Sequence, residues 1–143
     1  MEQGTARTRL QDEPEDRFVR LRAELGVSSF GLNQITLRPG QRGRIHRHEH
    51  QEEVYVVLDG TLSLVVEGEE TTVGPGDVVR VGPDVRRQLV NRGPETVRLL
   101  AIGGAGEHEG RDGLAYASWE TTDAVSPRDM PLPEDLPPDE RRG

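Results

Sequence analysis

In the stretch GQRGRIHRHEHQEEVYVVLDG, Gly40 to Gly60, histidines stand at 46, 48 and 50, and glutamates follow at 52 and 53. Alternate residues of an extended strand share one face, about 6.6 to 7 Å apart. His46, His48 and His50 therefore point the same way if this stretch is a strand. Imidazoles so placed can converge on one ion at metal–nitrogen distances of about 2.0 to 2.1 Å. Two neutral nitrogens hold a divalent ion weakly; a carboxylate adds charge and a third facial position, and leaves other positions open for substrate or dioxygen. Glu53, where the next strand should begin, can supply it. A merely polar strand rich in histidine is the competing reading.

The elements around this stretch are strands. From Arg17 onward, short runs alternate apolar and polar residues and end at Gly or Pro, as in RFVRLRAELGVSSFGLNQITLRPG. Asp59-Gly60 fits a two-residue type I′ hairpin, Gly68 a second reversal and Pro75-Gly76 a third. VVRVGPDVRRQLVN and TVRLLAIGG continue the series, and no segment of helical period stands out. The pattern predicts an all-β domain over residues 17–120, at the strand spacing of a barrel or jelly roll. Residues 1–16 are charged and aperiodic and read as a flexible arm. Residues 121–143, rich in proline and acid, read as a disordered tail.

Composition narrows the chemistry. The 143 residues suit one domain and one site. With no cysteine, disulfides, thiolate metal sites and cysteine nucleophiles are excluded, and a reducing cytoplasm is the expected compartment. There is no lysine, hence no lysine Schiff base. The opening MEQGTARTRLQDEPEDR has no apolar run and reads as neither a signal peptide nor a membrane anchor. A net charge of −8 without a basic stripe argues against nucleic acid and anionic membranes as partners. A small-molecule ligand remains.

Gly40, His46, His48, Glu53 and Gly60 match, position by position, the first motif of the cupins, and the strand pattern over residues 17 to 105 resembles a single-domain cupin. The resemblance implies an antiparallel β-barrel of two facing sheets, motif residues directed into its open end, and a homodimer. It implies no single activity, because cupins include dioxygenases, isomerases, epimerases, decarboxylases and non-enzymatic proteins. The second motif, GDVVRVGPDVRRQLVN from Gly76 to Asn91, keeps its Gly-Asp opening and its closing Asn. Arg87 stands where the family has its fourth ligand, a histidine.

Arginine has no lone pair to give a metal. Unit charges about 4 Å apart interact by roughly 4 kcal/mol at an effective dielectric near 20, so the charge of Arg87 matters. Two readings follow. In one, His46, His48 and Glu53 hold a divalent transition metal (Fe, Mn, Ni or Zn) and Arg87 clamps an anionic ligand beside it. In the other, Arg87 pairs with Glu53 in a metal-free barrel that binds a small molecule or serves as structure. Tyr55, Leu89 and Val57 are expected to line the pocket, and Glu52 to face solvent. His50 is a candidate for a role behind the ligands. His108, in GGAGEHEGRDG, could join a lid with Arg111, or belong to a connector leading to Trp119, which would dock on the outside of the barrel.

Overall fold

A computed structural model describes residues 4–104 and 112–142; His108 and Arg111, the lid candidates, lie outside them. Strands dominate: β1 (Phe18–Val19), β2 (Gly31–Leu37), β3 (Ile45–His48), β4 (Glu52–Asp59), β5 (Leu62–Val66), β6 (Glu69–Val73), β7 (Val78–Val81), β8 (Arg87–Val90), β9 (Val97–Gly104) and β10 (Gly113–Tyr116). They form two antiparallel five-stranded sheets, ordered β1-β2-β9-β4-β7 and β10-β3-β8-β5-β6. This is the expected jelly-roll arrangement. Among the described residues, no helix is long and apolar enough to cross a membrane.

The core sits between the sheets. Along β9, Val97, Leu99 and Ala101 are buried and the residues between them less so, the period of two that a strand imposes. They meet Ile35, Leu37, Tyr55 and Val57 from their own sheet and Leu62, Leu64, Val73 and Leu89 from the other.

Two local expectations need correcting, whereas the reversals expected at Gly68 and at Pro75-Gly76 are present. Asp59-Gly60 closes no hairpin, because β4 and β5 belong to different sheets and the chain crosses between them here. Gly60 has φ 74°, and a Cβ there would lie 2.5 Å from the Thr96 carbonyl oxygen, so only glycine fits. The two-residue hairpin falls instead at Glu67-Gly68, joining β5 to β6, with φ of 48° and 83° as a type I′ turn requires. At Pro75-Gly76, Asp77 N–H donates to Gly74 O at 3.0 Å with Gly76 at φ 88°, a type II turn. Where alternation predicts strand, Leu21–Leu25 winds into a short helix, α1, that buries only Leu21 and ends at Gly26 in the left-handed region.

The flanking segments also touch the sheets. Gln11 exchanges two hydrogen bonds with the buried Gln34 side chain on β2, at 2.8 and 2.7 Å. Residues 121–142, read from composition as a disordered tail, run along the second sheet: Val125 pairs with Ala115 of the edge strand β10, Pro127 reaches the cavity wall, and the segment around Leu136 lies on the outer face. Leu136 is 2% exposed there, in a cluster with Val65, Val90 and Trp119. The composition counts only apolar side chains, whereas this segment is held largely through its backbone. Arg42 and Arg44 donate to the carbonyls of Glu134 and Met130, and Leu136 N–H donates to Gly40 O at 2.7 Å. That cover explains why every residue of β8 is buried, on both faces.

Candidate metal centre

His46 and His48 project from one face of β3, and Glu53 is the second residue of β4 in the opposite sheet. The site therefore spans the two sheets. Glu53 Oε1 lies 3.8 Å from His46 Nε2 and 3.8 Å from His48 Nε2. The imidazoles stand edge to face, with centroids 5.4 Å apart. One potential ligand atom from each of the three residues lies within 4.8 Å of the others.

The connection that brings β4 under β3 is tied by Asp112. Its carboxylate accepts the N–H groups of His50 at 3.0 Å and Gln51 at 2.8 Å, and its carbonyl accepts that of Glu49 at 3.1 Å. Nothing in the sequence singles out Asp112. β3 ends at His48, so the alternation stops before His50, whose side chain is 65% exposed beside Glu49 and does not join the other two histidines.

Arg87 is the cross-strand neighbour of His46 and is fully buried. Its Nη2 donates to Glu53 Oε1 at 2.7 Å, its Nε to Tyr55 Oη at 3.2 Å and its Nη1 to Val85 O at 2.9 Å. Tyr55 in turn donates its hydroxyl to Glu53 Oε1 at 2.5 Å. The expectation that Arg87 clamps a ligand is corrected by this burial: each of its three nitrogens donates to a protein acceptor, and it does not line the cavity. Val57 is likewise core, 1% exposed and off the cavity wall, because it lies one step deeper along β4 than Tyr55. Tyr55 and Leu89 do line it, and Glu52 faces solvent, paired with Arg80 at 2.6 Å.

Electrostatics suit metal donation. Burial, partly opposed by Glu53, lowers His48 from 6.5 to about 4, so its imidazole is neutral at pH 7 and keeps a lone pair. Burial alone would raise the Glu53 carboxyl, but His46, Arg87 and His48 outweigh it and hold the group well below the usual carboxylate range. Burial, then the Glu53 charge, pushes Tyr55 well above its ordinary value, which keeps it a hydrogen-bond donor. His48 Nδ1 is buried without a hydrogen-bond partner and 3.9 Å from Asp112 Oδ2. A ring with its inner nitrogen so placed presents Nε2 outward to an ion, and the set of two imidazoles and one carboxylate fits a divalent transition metal.

The donors open onto a cavity of about 210 Å³ walled by Phe18, Ile35, Leu37, Leu89 and Ala101, with Asn33 and Arg44 as further polar lining. A second lobe of about 370 Å³ shares Phe18, Asn33, His48, Glu53 and Ala101 and adds Arg20, Arg22 and Gln51.

The cupin domain family profile matches residues 33–103, which hold all three donors and Arg87. The chain belongs to the cupin superfamily. Among solved structures, this cupin superposes on a cupin-superfamily sugar phosphate isomerase from Silicibacter pomeroyi with a TM-score of 0.61 at 32% identity, covering 71% of this chain and 64% of that one. A cupin protein from Bacteroides fragilis, 22% identical, shares the fold with a TM-score of 0.64 over 87% of this chain and 100% of that one. The L-ectoine synthase of Bordetella avium is 28% identical over 74 residues, 51% of this chain and 55% of that protein. The polyketide synthase CurC of Streptomyces cyaneus is 28% identical over 76 residues, 53% of this chain and 49% of that protein. This cupin spans about half the length of the curated relatives it matches.

Proposed function

We propose that this cupin holds a divalent transition metal through His46, His48 and Glu53 and takes a small acid-bearing molecule into the adjoining cavity, as a metal-dependent enzyme. The observation that carries the proposal is the pair of imidazole nitrogens, each 3.8 Å from the same Glu53 oxygen. Iron, manganese, nickel or zinc suits such a donor set; bound there, the metal would polarise a substrate oxygen or activate dioxygen. Arg87 and Tyr55 fix the carboxylate from behind. Because Arg87 neutralises Glu53, a divalent ion would leave the site at +2, and an anionic ligand balances it. The relative named a sugar phosphate isomerase supports an anion of that class. The homodimer usual for cupins and a cytoplasmic setting belong to the same proposal; light scattering of the purified protein checks the former.

Metal content tests it. Protein purified without a nickel column or chelator should carry a stoichiometric metal by mass spectrometry, and the His46→Ala/His48→Ala variant almost none. Equal, near-zero metal in both sinks the proposal. A second reading, a metal-free barrel, is favoured by the 2.7 Å contact between Arg87 and Glu53, and that outcome would select it.

A further inference from the structure

Acidic residues outnumber arginines in this chain, and many arginines near the sheets have found one, while Arg42 and Arg44 donate to backbone carbonyls. Arg47, Arg80, Arg86, Arg87, Arg92 and Arg98 each lie within 3.0 Å of a carboxylate oxygen. Arg20 and Arg22 do not. Among the described residues neither has a carboxylate partner; Arg22 Nη1 donates only to the Val27 carbonyl at 3.2 Å. Both line the second lobe of the cavity, together with His48 and Glu53. Glu53 is already neutralised by Arg87, so two guanidiniums without an ion-pair partner line this lobe on a protein whose net charge is −8; Glu15, Asp16 and Glu24 share with Arg20 only the neighbouring surface groove.

Their position follows from the local fold. Arg20 is the residue before α1 and Arg22 lies within it, so the short helix, where alternation predicts strand, puts both on the wall of this lobe. A guanidinium offers paired N–H groups that match two oxygens of a carboxylate or phosphate. We infer that Arg20 and Arg22 form the anion-recognition subsite of this cavity and take the phosphate or carboxylate of its ligand. This rests on the reading of the cavity as a ligand site, and it gives these two residues the role that the sequence assigns to Arg87.

Isothermal titration calorimetry with inorganic phosphate, succinate and neutral xylose tests the inference, and the stronger of the two anions names the ligand's acid group. At low salt, one anion should bind and xylose should not. Arg20→Gln should weaken that anion about fivefold to tenfold, and Arg20→Gln/Arg22→Gln about thirtyfold or more, the range for losing exposed charge-assisted hydrogen bonds. Arg7→Gln/Arg9→Gln removes the same charge from a separate surface pocket and should leave binding unchanged. Arg20 is exposed, so its single variant reads the effect without disturbing the fold. Wild-type affinity in the double variant, equal weakening in the Arg7/Arg9 control, or no anion binding by the wild type would each overturn the inference. Metal content of the same samples should match wild type. A loss of anion binding with metal absent throughout would remove the proposed metal site and leave this subsite standing.

Discussion

His46 and Arg87 are paired across β3 and β8 at one level of the barrel, yet they do opposite work. His46 is short and partly exposed, and it presents a nitrogen to the cavity. Arg87 is long enough to pass behind the donors and reach Glu53, Tyr55 and the Val85 carbonyl, and no part of it meets solvent. At such a position, side-chain reach decides between ligand and support. A residue that replaces a metal ligand in a motif can keep the site's carboxylate ordered while giving up its own access to the cavity.

Removing the support should have the largest effect. Arg87→Met leaves Glu53 ionised beneath the imidazoles and should cost about 3–5 kcal/mol in urea unfolding, as other broken buried pairs do. Arg87→Met/Glu53→Gln should recover most of that loss; a single variant within about 1 kcal/mol of wild type would dissolve the contrast between the two positions.

Acid should come next. Unfolded His48 protonates near 6.5, and folded His48 only near 4. Its contribution is therefore complete above pH 6.5 and is lost as pH falls from 6.5 to 4, by up to about 3 kcal/mol. Chelator-treated protein unfolded in urea at pH 7 and pH 4.5 should show the drop, and His48→Asn should flatten it.

Arg87→His asks whether reach alone separates the pair. A short imidazole beside His46 should add a nitrogen donor and tighten zinc binding about tenfold or more, while lowering metal-free stability. Unchanged zinc affinity in a competition titration would mean that position 87 cannot address the cavity at all. The last effect belongs to Tyr55→Phe, which removes the hydrogen bond to Glu53 and the one accepted from Arg87 Nε and should cost about 1–2 kcal/mol with metal content unchanged.

The sequence carries the strands and the donor set because both follow from a period of two: alternate residues share a face, and His46 and His48 obey it. It fails where the third dimension decides. Asp59-Gly60 has the composition of a hairpin, but the chain leaves one sheet for the other there. Arg87 is legible as a non-ligand from its chemistry, whereas its direction depends on Glu53 and Tyr55 lying beneath it. Arg20 and Arg22 look like the polar face of a strand until α1 turns them toward the cavity. The proline-rich segment from 121 looks unattached because its partners are arginine side chains reaching backbone carbonyls, which hydropathy does not register.

One consequence follows from the order of strands. β9 lies between β2 and β4, so β4 reaches its seat only after most of the chain has been synthesised. A nascent polypeptide ending before β9 holds His46, His48 and Glu53 but no chelating pocket. Ion capture should thus be a late event: divalent cations added during refolding should leave the rate of collapse unchanged and lengthen only the lifetime of the finished barrel.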